Sequence, residues 1–318
     1  MSKVNTVLGT IPAEALGIVA FHEHIGYGMP GSELDSKWWK SPEQKYEETV
    51  PKLRRFHELG GGTFVDATGI CNGRDVDYYK SLSAKTGVHI VACTGFVGGD
   101  TALAHFAKAS VEYLADQFIH EIDVEIGNSG AKAGIIKVGV SRGGRMTELD
   151  KRIYRAAARA AKLTGVPIMT HLAIDAEPAL EIFADEGLDL DRVVFGHVDD
   201  GVNHDKSKDT WIAGQGGRIG FDTFGYETEL PDPPFWARPR KDRLDHFLRF
   251  IGEQGFLDKV LASADANCSP LGWPGVKGHT VNYIFEDLIP DLRAAGVEEQ
   301  IISQIFVDNP ASFLTITT

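Results

Sequence analysis

Short apolar runs recur along the chain, each followed by a longer stretch with helical character. They fall at 17–21 (GIVAF), 63–66 (TFVD), 89–93 (HIVAC), 134–138 (GIIKV), 167–170 (PIMT), 192–195 (RVVF), 218–221 (RIGF) and 259–262 (KVLA). Runs of four or five residues rich in Val, Ile and Phe suit strands buried on both faces, as a parallel sheet requires. Segment 149–164 (LDKRIYRAAARAAKLT) predicts a helix, with strong helix formers throughout and a stop at Gly165 followed by Pro167. Segments 177–186 and 243–253 also end close to glycines, and 281–295 and 297–307 read as terminal helices. Eight strands alternating with helices predict a closed (β/α)8 TIM barrel rather than an open doubly wound sheet. No dinucleotide glycine fingerprint and no GxxxxGK[ST] opens a helix. No linker or low-complexity tract divides residues 1–318, which read as one domain; the Pro-rich stretch 228–239 reads as a long loop after the seventh strand.

Composition narrows the partners. The 318 residues are 43% apolar and 24% charged, the balance of an ordinary enzyme-sized globular chain. Lys and Arg number 32 against 45 Asp and Glu, a net charge of −13 with no basic run, which argues against a nucleic-acid partner. Cys71, Cys93 and Cys268 are too few and too scattered for a disulfide framework or a zinc ribbon, which favours a reducing compartment. No apolar core of signal-peptide length follows the N-terminus and no membrane-span-length apolar run occurs, so the expectation is a cytoplasmic protein without a membrane partner.

In a barrel of this kind the C-terminal strand ends face the site. The first run continues into Phe21-His22-Glu23-His24, the fourth carries Lys137, the fifth leads to His171, the sixth to His197 and the eighth to Asp265. Side chains alternate along a strand, so His22 and His24 face the same side. Borderline divalent cations such as zinc accept imidazole nitrogen and carboxylate oxygen, so His22, His24, His171, His197 and Asp265 form a candidate donor set. A strand-end histidine by itself is more often a hydrogen-bonded structural group. His57, His89, His105, His120, His204, His246 and His279 are assigned no ligand role. The joint placement, at four strand ends, is what points to a metal.

Lys137 lies inside an apolar run, where its ammonium loses hydration unless paired or neutralised. One reading is a salt bridge to a strand-end carboxylate such as Asp66 or Asp265. The other is reaction of the amine with carbon dioxide to give a carbamate, an anionic oxygen ligand able to bridge two cations.

Taken together, these residues resemble the phosphotriesterase family of the amidohydrolase superfamily, in its lactonase branch, over nearly the whole chain. The matching pieces are Phe-His-Glu-His-Ile (21–25), Phe-Val-Asp-Ala-Thr (64–68), Gly-Arg-Asp-Val (73–76) and His-Ile-Val-Ala-Cys-Thr-Gly (89–95). They continue with Ala-Gly-Ile-Ile-Lys-Val-Gly (133–139), Pro-Ile-Met-Thr-His (167–171), Gly-His-Val-Asp-Asp (196–200) and Tyr-Ile-Phe-Glu-Asp-Leu-Ile-Pro (283–290). The resemblance implies a homodimer with a binuclear centre in each chain. His22, His24 and Asp265 would hold the buried cation, His171 and His197 the more exposed one, and carboxylated Lys137 would bridge them together with a hydroxide. Zinc suits this set, as do manganese, cobalt or iron.

The reaction implied is metal-assisted hydrolysis, with Asp265 taking the proton of the attacking hydroxide. No Ser or Cys nucleophile is required, and no GxSxG occurs. The substrate implied is a small molecule: a lactone or related carboxylic ester, with promiscuous phosphotriester cleavage. An N-acyl amide and a dedicated organophosphate triester are the alternatives. Val97 occupies a position where lactonases carry Tyr and phosphotriesterases Trp, and Thr223 stands where many lactonases carry Arg. Phe224, Tyr226, Phe235 and Trp236 after the seventh strand, with Trp273 after the eighth, are the candidate apolar lining; packing of a lid or a dimer contact is the competing role for them. Two other classes compete: a metal-bound barrel that binds without hydrolysing, and a mononuclear deaminase of the same superfamily, against which Lys137 tells.

Overall fold

A computed structural model describes residues 2–171, 175–200, 206–226, 238–270 and 280–317. Each of the eight apolar runs is a strand, within a residue or two at either end: β3 (Ile18–Glu23), β4 (Gly61–Asp66), β5 (His89–Gly95), β6 (Ile135–Val138), β7 (Ile168–Thr170), β8 (Val193–Phe195), β9 (Arg218–Phe221) and β10 (Val260–Ala262). All neighbouring pairs from β3 to β10 are parallel and in chain order. The ring is drawn shut by backbone hydrogen bonds between the ends of β3 and β10. Asp265 N donates to His22 O (3.0 Å), His24 N to Ala266 O (2.8 Å) and Cys268 N to His24 O (2.9 Å). The architecture is a single (β/α)8 TIM barrel.

Alternation sorts the strand residues into two cores. Val19, Phe21, Val65, Val91, Cys93, Ile135, Met169, Val194 and Leu261 fill the barrel interior. Ala20, Phe64, Ile90, Ala92, Ile136, Val138, Ile168, Val193, Phe195, Val260 and Ala262 face the surrounding helices. Phe313 and Leu314 join the interior group beside Val4 and Leu16. Val4 comes from an antiparallel hairpin, β1 (Lys3–Thr6) and β2 (Gly9–Pro12), which the apolar-run pattern did not predict. Its strands have too few apolar residues to register as buried runs.

The helix Glu148–Thr164 shows why local sequence suffices for the outer layer. Thr147 and Asp150 form a capping box at its start, and Gly165 ends it at φ 73°, a left-handed conformation that costs glycine little. The terminal helices are less regular than their apolar pattern predicts. π turns at Ile284–Leu288 and Gln304–Asp308 precede helical turns at Ile289–Ala294 and Asn309–Leu314. Pro290 and Pro310 open those following turns, and neither can donate to a carbonyl one turn back; the widened turn accommodates the missing bond. Among the described residues no helix is long and apolar enough to cross a membrane. Most of the expected loop 228–239 lies outside the described residues.

Candidate metal centre

Strand geometry brings the predicted donors together at the C-terminal end of the barrel. Lys137 alternates with Ile136 on β6, so it stands in the barrel interior one layer above Ile135, fully buried. His22 ends the interior face of β3, where the pairing with β4 shifts register between Ala20 and Glu23. His171 follows β7, His197 follows β8 and Asp265 follows β10. His197 and Asp265 adopt φ of 56° and 49°, which turns the chain sharply at both strand ends. A non-glycine residue held there costs on the order of 1 kcal/mol or more and persists only where neighbours enforce it.

The donor atoms converge. Those of His22, His197 and Asp265 all lie within 4.8 Å of one another. Asp265 Oδ1 is 3.0 Å from His24 Nε2 and 3.8 Å from His22 Nε2. Lys137 Nζ is 2.7 Å from His22 Nε2, and His197 Nε2 is 3.2 Å from His171 Nδ1. The Lys137 ammonium makes no ion pair with Asp66 or Asp265; its contacts are His22 Nε2 and the Met169 sulfur at 3.5 Å. The simple salt-bridge reading of Lys137 is therefore replaced by an amine packed against an imidazole. Burial brings this amine down to about 8, against the opposing pull of the Asp265 and Asp222 carboxylates.

Residues that the sequence reading assigned no role fix the orientation of these donors. Asp222, just past β9, accepts from His22 Nδ1 (2.5 Å) with one oxygen and from both Nδ1 (2.8 Å) and the backbone N–H of His197 (2.7 Å) with the other. Burial alone would raise this carboxyl, but the adjacent His197 and His22 outweigh it and hold it below the usual carboxylate range. Room for Asp222 comes from two glycines: a Cβ at Gly220 would stand 2.8 Å from its Oδ2, and one at Gly196 3.0 Å away. Thr68 Oγ1 meets His24 Nδ1 at 2.9 Å. Glu23, between the two histidines in sequence, reaches the other way across the closure. It accepts from Ser263 Oγ (2.5 Å) and from the amides of Ala264 (3.1 Å) and Ala266 (2.6 Å), bracketing the turn at Asp265. Burial pushes the Glu23 carboxyl up to about 8. Asp222, a strand-end carboxylate directly after β9, is open to the same strand-end argument that picks out Asp265; Glu23 and Thr68 carry no comparable signal.

The donor set fits divalent cations on chemical grounds. With Nδ1 of His22, His24 and His197 each engaged by an oxygen, Nε2 of each ring is turned toward the others and toward Asp265. Among the described residues Asp265 Oδ1 has no hydrogen-bond donor. Lone pairs gathered this way in a buried space repel one another unless positive charge sits among them, as the Lys137 ammonium does beside His22 Nε2 and as a cation would among the rest. A carboxylate or hydroxyl on the far nitrogen of a metal-binding imidazole is also the usual way its tautomer is set. Replacing Asp222 by Asn should loosen both His22 and His197, lowering metal affinity by about 10–100-fold. Equilibrium titration with a chromophoric chelator checks this, and wild-type affinity would show that Asp222 is not needed to hold the rings.

The expected pocket walls are placed unevenly. Val97 is buried beside the site: a Cβ on Gly139 would meet both Val97 O and His171 Cβ. Phe224 packs on Phe247 (5.7 Å between ring centroids) and lies 5.8 Å from the Arg243 guanidinium. Tyr226 reaches the donors directly, its hydroxyl 2.5 Å from Asp265 Oδ2. Phe235, Trp236 and Trp273 lie outside the described residues. Tyr27, which carried no expectation, packs on His24 with ring centroids 4.8 Å apart and the planes tilted by 48°.

The chain is similar to known proteins over nearly its whole length. The chain is 31% identical to an aryldialkylphosphatase of Saccharolobus solfataricus, covering 96% of this chain and 97% of that one. It is 30% identical to a phosphotriesterase homology protein of Mycobacterium tuberculosis, over 98% and 97% of the two chains. An N-acetyltaurine hydrolase of Danio rerio is 25% identical over 98% of each. The sequence model of the phosphotriesterase family matches residues 2–314, and the chain belongs to that family.

Proposed function

We propose that this chain is a binuclear metal-dependent hydrolase acting on a lactone or a related carboxylic ester with an apolar body, with phosphotriester cleavage as a side activity. The observation that carries the reading is the convergence of donor groups from β3, β6, β7, β8 and β10 on one buried space, with Asp222 and Thr68 orienting the imidazoles. His22, His24 and Asp265 would hold the inner cation and His171 and His197 the outer one. Lys137, after its amine adds to carbon dioxide and releases a proton, would bridge them as a carbamate.

When bound, the cations lower the pKa of a shared water and polarise the carbonyl or phosphoryl oxygen of the substrate. The protein's own part is to orient and to move a proton. Asp265, adjacent to the donors and fixed by the Glu23 clamp on its flanking amides, accepts the proton of the attacking water and returns it to the leaving group. Asp222 keeps His22 and His197 from rotating as charge develops. Val97 and Thr223, in place of larger polar or aromatic groups, leave the substrate's fit to apolar contact.

The relatives named N-acetyltaurine hydrolase support a second reading, an N-acyl amide as substrate. One screen separates the two. Protein loaded in turn with zinc, manganese and cobalt is assayed on γ- and δ-lactones of varied chain length, aryl esters, N-acetyl amides and dialkyl aryl phosphates. About two metal ions per chain and fastest turnover of lactones or esters are expected. Preferential release of free amine would favour the amide reading. A single metal, or no turnover of any class by the fully loaded protein, would overturn the binuclear hydrolase.

A further inference from the structure

Tyr226 lies at the end of a turn that leaves β9 and is anchored from behind. Asp199 accepts from the amides of Asp222 (3.1 Å) and Thr223 (3.2 Å), and the Arg243 guanidinium stands 3.3 Å from the same carboxylate, with both side chains fully buried. Removing one partner would leave the other as an uncompensated buried charge, so the base of the turn is held firmly. Phe224 packs on Arg243 and Phe247, and the amide of Tyr226 donates to Thr223 O at 3.4 Å. From this support the Tyr226 hydroxyl donates to Asp265 Oδ2 at 2.5 Å and lies 3.3 Å from the Asp265 carbonyl oxygen.

The two oxygens of Asp265 are therefore differentiated. Oδ1 faces His24 Nε2 at 3.0 Å and His22 Nε2 at 3.8 Å, while Oδ2 faces the phenol, with His197 Nε2 farther off at 3.9 Å. A carboxylate with both oxygens free can turn about its last bond and offer either or both to a cation; a phenol on one oxygen fixes which is offered.

We propose that Tyr226 is a positioning residue of the hydrolytic centre: by holding Asp265 Oδ2, its phenol presents Oδ1 alone to the inner cation and keeps the carboxylate aligned for proton acceptance. This rests on the binuclear hydrolase reading. It gives the turn after β9 a task distinct from lining a pocket, and gives the buried Arg243–Asp199 pair the task of fixing that turn.

The test compares wild type with Tyr226→Phe, alone and in an Asp265→Asn background, all loaded with cobalt and matched by circular dichroism and melting temperature. Tyr226→Phe is expected to alter the visible cobalt spectrum, to speed cobalt loss to excess chelator at least fivefold, and to lower kcat at least tenfold with KM within twofold. In the Asp265→Asn background the same change should alter cobalt loss less than twofold, because the partner through which Tyr226 acts has changed. Wild-type spectrum, cobalt loss and kcat in Tyr226→Phe would overturn the role of Tyr226 while leaving the hydrolase standing. Equal acceleration of cobalt loss in both backgrounds would overturn action through Asp265. A wild-type chain that takes up no cobalt would instead overturn the hydrolase reading, and this inference with it.

Discussion

Asp265→Asn should leave the barrel folded and remove most of the turnover, by about 10²–10⁴-fold, the range in which a positioned proton acceptor contributes. Asparagine is nearly isosteric and is among the residues that tolerate positive φ, so the turn at 49° is retained. The Glu23 contacts that bracket it are made to the backbone of Ala264 and Ala266 and to the Ser263 hydroxyl, none of which the substitution alters. What is lost is the anionic charge beside His22 and His24 and the ability to take a proton. Steady-state kinetics on metal-loaded protein, with metal content measured in parallel, check this; full activity would remove Asp265 from proton transfer.

Lys137→Ala should strip the proposed centre of most of its metal and lower turnover by at least about 10²-fold, since in the proposed reaction the cations would supply the nucleophile and polarise the substrate. The substitution removes a fully buried amine that has no carboxylate partner among the described residues, so the fold loses packing volume rather than an ion pair. The space left can admit a small carboxylate. Acetate or propionate in the buffer should therefore restore part of the metal content and rate, standing in for the oxygens of the proposed carbamate. Unchanged metal and rate in the variant would show that Lys137 is structural. Loss of metal without rescue by any short acid would set the bridging role aside.

Much of the candidate centre was legible because barrel chemistry is concentrated at strand ends, and a strand end can be read locally. His22, His24, His171, His197 and Asp265 each follow or end an apolar run, and Lys137 interrupts one. The groups that orient them were harder to read. His22 and Asp222 are separated by 200 positions, Glu23 and Ala266 by 243, and Tyr226 and Asp265 by 39. Nothing near Glu23 in the chain indicates that it turns away from its histidine neighbours to clamp the far strand. Phe224 is another such case: its contacts with Phe247 and Arg243 join positions more than a dozen residues apart.

By itself the sequence determined the succession of buried strands and capped helices, and with it the barrel and the rim on which chemistry would gather. These depend on apolar period and terminal residues, which act over a few positions. Tertiary structure alone decided which oxygen faces which nitrogen. It set Asp222 between two imidazoles, packed the Lys137 amine against His22, and put the Tyr226 phenol on Asp265. Such pairings follow from ring closure and from the left-handed turns at His197 and Asp265, which join distant segments at distances that no local pattern encodes.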